Sequence, residues 1–162
     1  VYDVCHNIAR MKTNEVDGEV RRLCIHRKDA TRALPQGYPE TPQPYREVGQ
    51  PVPITGDMGR YSFVFVGAGE ALRRICGSIG HGAGRRLSRT AAGNTSKGRR
   101  IFDEIAARGI VLQAEGARTG LEEVPEPCKD VEDVVSVVHG AELARELARK
   151  VARLVPMGVI KG

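Results

Sequence analysis

Tryptophan is absent, and aromatic residues make up only 4% of the 162 residues. A core built on large aromatic plates is thereby excluded, and packing is expected to rely on Val, Leu, Ile and Ala. Cysteine is sparse: Cys5, Cys24, Cys76 and Cys128 lie far apart and form no C-x-x-C pair. That spacing argues against a zinc knuckle. A chain of this length needs no disulfide framework, so reduced thiols in a cytoplasmic protein are expected. No apolar run approaches the ~18 residues of a membrane span, no secretory leader is visible, and no membrane partner is expected. Phosphate-loop signatures are missing too. "GSIGHGAGRR" lacks the lysine–hydroxyl pair of Walker A. A dinucleotide fingerprint needs a strand directly before its glycines, where helix is predicted here. No H-R-D or D-F-G follows to make a kinase. Acidic residues are missing from 73–100, a stretch that holds Arg73, Arg74, Arg85, Arg86, Arg89, Lys97, Arg99 and Arg100.

What remains is an ordinary globular composition, 41% hydrophobic and 28% charged, of a size for one domain with one core. Net charge is +5 and the pI near 9.2, which favours a polyanionic partner. The 19 glycines exceed the usual share of about 7% and gather at 56–59, 67–69, 77–84 and 116–120. Such clusters mark loops with demanding backbone angles, common where a ligand binds. The chain opens on "VYDVCHN" with no initiator methionine, in what reads as a strand, and is expected to be a piece of something longer.

Along the chain, "VYDV" predicts a strand that runs into a polar turn at His6-Asn7. Asp17-Gly18 is a strong hairpin signal between a short upstream arm and "VRRLCIH". The prolines between 35 and 53 predict an extended loop. "SFVFVG" at 62–67 reads as a buried strand, and 69–76 as a short helix ending at Gly77. A further helix is expected to begin between 86 and 92. "SKGRRIFDEIAARGI" has helical spacing at Ile101, Phe102, Ile105 and Ala106, with Gly109 as its stop. "IVLQA" predicts a strand, 130–138 and 141–153 helices, and "MGVIKG" a closing strand. The repeat "ELARELAR" is read as one added helical turn. Hairpins and helices without regular βαβ alternation predict the α+β class.

The chemistry concentrates at "GSIGHGAGRRLSR", Gly77 to Arg89, where four glycines surround one histidine and three arginines follow. Glycines allow close backbone approach, and arginines suit phosphate oxygens. A neutral imidazole at His81 could attack a nucleoside triphosphate and hold the nucleotide through a P–N bond, with nearby cations stabilising the phosphoryl charge. Plain anion binding fits the same residues, and both readings stand on the residues alone. His6 suits a capping role or a single ligand of a larger metal set. His26 belongs to a basic, polar strand end, and His139 reads as surface.

Seven segments together carry a resemblance. "YDVCHNIA", "IHRKDATRA", "REVGQPV", "GDMGRYSFV", "GSIGHGAGRRLSR", "CKDVEDVV" and the terminal "GVIKG" run in one order from the first residue to the last. The chain resembles the RtcB-type RNA-splicing ligases, which join RNA 3′-phosphate or 2′,3′-cyclic phosphate ends to 5′-hydroxyl ends with GTP and manganese. The resemblance implies an RtcB-like fold and a chain, 1–162, that forms the C-terminal portion of the catalytic domain. It implies His81 as the catalytic guanylate acceptor, His6 as a ligand of one of two manganese ions, and Asn7 beside the nucleotide. Thr55, Gly56, Asp57, Met58 and Ser62 would line the guanosine pocket. Gly82, Ala83 and Gly84 would cradle the GMP, with Ala83 and Gly84 offering backbone groups. Cys128 and Lys161 would lie at the guanine or its ribose, and Lys28, Arg85 and Arg89 would hold RNA phosphates. The implied partners are RNA, such as tRNA halves, GTP and an archease-type activator.

Several positions depart from the family pattern. Cys128 stands where tyrosine is usual, Asp29 replaces a glycine, and threonine precedes "GDMG" where proline is common. The "ELAR" repeat is expected to displace Lys161 by about 6 Å at 1.5 Å per residue. The family's remaining metal ligands are expected upstream of Val1, so the fragment alone is expected to be inactive. A non-catalytic GTP-, phosphate- or RNA-binding remnant is the alternative.

Overall fold

The Asp17-Gly18 signal produces a long two-stranded hairpin, β1 (Asn7–Val16) and β2 (Glu19–Lys28). Both turn residues have positive φ, 54° and 80°, as a two-residue type I′ turn requires. The upstream arm equals its partner in length, so the expected short arm is corrected, and Asn7 lies in strand rather than in a turn. In this computed structural model residues 5–116, 124–140 and 148–161 are described. The strand expected at 1–4 and Gly120 lie outside them.

After the hairpin come β3 (Ala30–Arg32), a single 3₁₀ turn at Gln43–Tyr45 and β4 (Pro51–Ile54). Then follow β5 (Ser62–Gly67), α1 (Gly69–Ile75) and β6 (Ser78–Gly80). The remaining elements are α2 (Arg89–Thr95), α3 (Ile101–Ala106), β7 (Val111–Ala114), α4 (Val131–Gly140), β8 (Ala148–Leu154) and β9 (Gly158–Lys161). The mixture is compatible with the α+β class.

The proline-rich segment is not loop throughout. β4 pairs antiparallel with β5, and Pro51 and Pro53 are tolerated because β4 is an edge strand of the β4-β5-β8 sheet. The larger correction concerns the end of the chain. Residues 141–147 lie outside the described set, but 148–154, expected to be helical, form β8 and pair with β5 from Ser62↔Leu154 to Gly67↔Ala148. Only Ala148 and Arg149 of the "ELAR" repeat fall in β8; across "ARKVARL", pairing to a buried central strand outweighs helix propensities worth tenths of a kcal/mol per residue. The rest of the repeat, 142–147, lies outside the described residues, and the expected displacement of Lys161 with it.

Among the described residues Val, Leu, Ile and Ala supply most of the buried core, as expected, and two phenylalanines join them. Phe63 and Phe65, alternating residues of β5, are fully buried with Val52, Ile54, Ile79, Val131 and Val135. A second cluster gathers Met58, Ile101, Ile105, Ile110 and Val124. Ile101 and Ile105 take the inner face of α3, whereas Phe102 and Ala106 of the predicted stripe are exposed. Ser88 caps α2, its Oγ accepting from the Ala91 amide. No helix among the described residues is long and apolar enough to cross a membrane.

Candidate functional site

His81 follows β6, which pairs with β3 so that Gly80 faces Ala30. Its backbone is fixed on both sides. The His81 amide donates to the Asp29 carbonyl at 3.4 Å, and the His81 carbonyl accepts from the Thr55 amide at 2.9 Å and the Thr55 hydroxyl at 3.1 Å. The Ala83 amide donates back to the Thr55 carbonyl at 2.9 Å. Gly82 sits so close to Thr55 that a Cβ there would lie 3.1 Å from its Oγ1. The glycines thus let the loop lie flat against Thr55 while the imidazole stays partly exposed. The Ala83 N–H is used in holding the loop.

The hairpin brings a second imidazole. Its register pairs Asn7 with Lys28, so its open end sets His6 and Asn7 beside Lys28 and Asp29. The His6 and His81 ring centroids are 4.3 Å apart, tilted by 47°. Asp29 occupies the left-handed region at φ 52°, a backbone that favours glycine. Its carboxylate pairs with Lys28 Nζ at 3.1 Å. That hydrogen bond and the Lys28 charge hold the Asp29 carboxyl below the usual carboxylate range, and His81 and His6 act in the same direction.

Together Lys28, Asp29, Thr55, Gly56, His81, Gly82, Ala83, Gly84, Arg85 and Cys128 line an open cleft of about 540 Å³. A second cleft, of about 490 Å³, shares Thr55 and Gly56 with it and adds Asp57, Met58, Ser62, Leu154–Pro156, Gly158 and Val159. The expected guanosine-pocket residues therefore come together, on the side where β9 leads to Lys161. Each volume is of the size that holds a nucleotide-sized ligand. Arg89 is the first residue of α2, and Lys161 is the last of β9.

Several of these residues work structurally as well. Asp57 has a fully buried carboxylate that accepts from the Gly59 amide at 3.0 Å and pairs with Arg60 Nε at 2.6 Å. Ser62 Oγ accepts from the Gly56 amide at 3.3 Å. Cys128 is buried, and its neighbours clasp the glycine loop: the Lys129 amide donates to the Gly84 carbonyl, and the Arg86 amide to that of Pro127.

Sequence reading missed Arg60. Its guanidinium pairs with Asp57 and with Asp130 at 2.9 Å, and donates to the carbonyls of Pro125, Cys128 and Lys129. Burial alone would lower its pKa, but Asp57 and Asp130 outweigh that and raise it. It fastens the "GDMGR" turn to the "CKDV" segment, two motifs about 70 residues apart, and so joins the two clefts. Its place inside a quoted motif was the available signal.

The acid-free basic run is narrower in space than in sequence. Arg73 and Arg74 pair with Glu70, Arg99 with Glu104 and Glu126, and Arg100 with Asp103. Of the run, Arg85 lines the His81 cleft.

For manganese the fit is incomplete. Among the described residues no group of three or more His, Cys, Asp or Glu side chains could hold a metal ion. His6 offers one imidazole, fewer donors than a metal site needs.

A family model described as tRNA-splicing ligase RtcB matches residues 1–162. The tRNA-splicing ligase RtcB of Thermococcus kodakarensis is 49% identical over the whole chain, which covers 33% of that relative. The one from Archaeoglobus fulgidus is 45% identical with the same coverage. The RNA-splicing ligase RtcB of Mycobacterium bovis is 45% identical, 36% of it being covered. The chain spans about a third of the length of these curated relatives. With every residue of the sequence inside one family match, and the seven motifs inside it, this chain belongs to the RtcB family.

Proposed function

We propose that this chain is the guanylate-accepting portion of a cytoplasmic, GTP-dependent RNA ligase that joins RNA 3′-phosphate or cyclic-phosphate ends to 5′-hydroxyl ends. The observation that carries the reading is a His81 imidazole left partly exposed at a cleft while hydrogen bonds to Asp29 and Thr55 lock its backbone.

An imidazole nitrogen of His81 attacks the α-phosphorus of GTP. A P–N bond forms, the bond from that phosphorus to the bridging oxygen breaks, and pyrophosphate leaves. An oxygen of the RNA 3′-phosphate then attacks the same phosphorus, the P–N bond breaks, and the RNA end carries GMP through a diphosphate linkage. The 5′-hydroxyl oxygen attacks the 3′-phosphate phosphorus and gives up its proton, GMP departs, and the strand is sealed. The Thr55–Ser62 cleft takes the guanosine, while Lys28, Arg85 and Arg89 oppose phosphate charge. The described residues do not complete a manganese site, so the two ions need donors beyond His6. Ligation therefore requires the remainder of an RtcB-length protein, with an archease-type protein as activator.

The test combines this chain with the remaining two thirds of a relative, manganese, and GTP labelled at either the α or the γ phosphorus. The expected result is denaturation-stable label from α only, lost in His81→Ala. Label retained by His81→Ala would refute the assignment. Equal RNA binding by both proteins with no label in either would favour a phosphate-binding remnant.

A further inference from the structure

Behind the His81 cleft lies a second charged cavity that the ligation steps do not use. Successive residues of a strand face opposite ways, so Asn7 and Lys28 share one face of the hairpin, and Ile8 and Arg27 share the other. On that other face, Arg10, Lys12 and Arg27, with Arg32 and Gln50, line a cavity of about 170 Å³ that Cys5, next to His6, also lines.

Among the described residues the charge in this cavity is unbalanced. Arg27 is only 5% exposed, yet its bonds run to neutral groups, from Nε to Ser78 Oγ at 2.9 Å and from Nη2 to the Cys76 carbonyl at 2.8 Å. Arg32 donates to the neutral Gln50 side chain at 3.2 Å. Among the described residues, Lys12 has an acidic partner, Glu40, and no acid pairs with Arg10, Arg27 or Arg32. Burial, then Arg32 and Arg10, push the Arg27 guanidinium below its ordinary pKa. A buried cation normally has a counter-charge, because an uncompensated one costs several kcal/mol. Here the guanidinium is held rigidly by two bonds and aimed into a cavity wide enough for an anion, and the planar donors of arginine match phosphate oxygens.

We propose that Arg10, Arg27 and Arg32 form a second phosphate site, which holds an internal phosphodiester of the RNA while its terminal phosphate lies at His81. This rests on the RNA-ligase reading and extends it to the strand behind the reacting end. The site positions RNA and takes no part in bond making.

The experiment titrates a fluorescent, single-stranded, 3′-phosphorylated RNA with the 162-residue chain at several KCl concentrations. Arg27→Gln could fail to fold, so the informative variants are Arg10→Gln and Arg32→Gln, each first shown to melt as wild type does. Each is expected to weaken binding at low salt and to reduce the slope of log K against log salt by about 0.7, one single-strand phosphate contact. Arg22→Gln, the same charge change on the opposite hairpin face, is expected to leave the slope alone. Unchanged slopes in both variants, with RNA still bound by wild type, would overturn the second site. So would tighter binding of polyglutamate than of RNA, lost in both variants, which would make the cavity a dock for an acidic polypeptide. Either failure accompanied by intact α-label transfer to His81 sinks this inference alone. Absence of both RNA binding and label transfer sinks the ligase reading with it.

Discussion

Replacing Arg60 with methionine removes the guanidinium while keeping most of its aliphatic stem. Left behind are the Asp57 carboxylate, fully buried, and the Asp130 carboxylate, 42% exposed. Asp57 keeps only the Gly59 amide as donor. Breaking a buried ion pair from one side costs about 3–5 kcal/mol. The Arg60 side chain is 26% exposed, so the lower end, about 3 kcal/mol, applies. For a chain of this length that is a fall in Tm of about 6–12 °C. The assay is thermal unfolding by circular dichroism of wild type, Arg60→Met, Asp57→Asn and the double variant. Asp57→Asn/Arg60→Met is expected to recover at least about 1.5 kcal/mol relative to the sum of the single changes, because no buried charge is stranded. A loss under about 3 °C in Arg60→Met, or strictly additive effects, would refute the reasoning that one guanidinium ties the two motifs together.

Other expectations follow from the same geometry. Gly56→Ala would put a Cβ 1.9 Å from the Tyr61 carbonyl oxygen, which cannot move without disturbing β5, so a loss of about 3 kcal/mol is expected in a denaturant melt. Asp29→Gly relieves a positive φ and frees Lys28 from its surface ion pair. Phosphate-terminated RNA should then bind about 2–5-fold more tightly in anisotropy titrations, with little change in Tm. Asp29, Glu70 and Glu104 are all held below their ordinary values, by Lys28, Arg74 and Arg99 respectively. Their contribution to stability is complete above the unfolded carboxylate range, about pH 4, and is lost as pH falls through the lower folded values. Melting scans from pH 6 to 3 should show a plateau and then a decline, flattened by high salt.

Much of this was legible in the sequence where local chemistry decides structure. Asp17-Gly18 announced its turn, and "SFVFVG" its buried strand. The glycines around His81 read as room for a ligand, whereas the packing of Gly82 against Thr55 appears only in the structure. What stayed hidden depends on partners distant in the chain. The strand at 148–154 has helix-forming residues and takes its shape from pairing with β5. Arg60 looks like any surface arginine until segments 57–60 and 125–130 meet. The eight cations of 73–100 read as one basic patch because the acids that pair with four of them lie outside that stretch, at Glu70, Asp103, Glu104 and Glu126.

The most direct measurement is peptide mapping by mass spectrometry after the chain, complemented by the rest of an RtcB-length protein, meets GTP and manganese. GMP joined to an imidazole nitrogen within the peptide that contains His81 is the predicted finding. GMP on a lysine or on another histidine, with His81 unmodified, would contradict it.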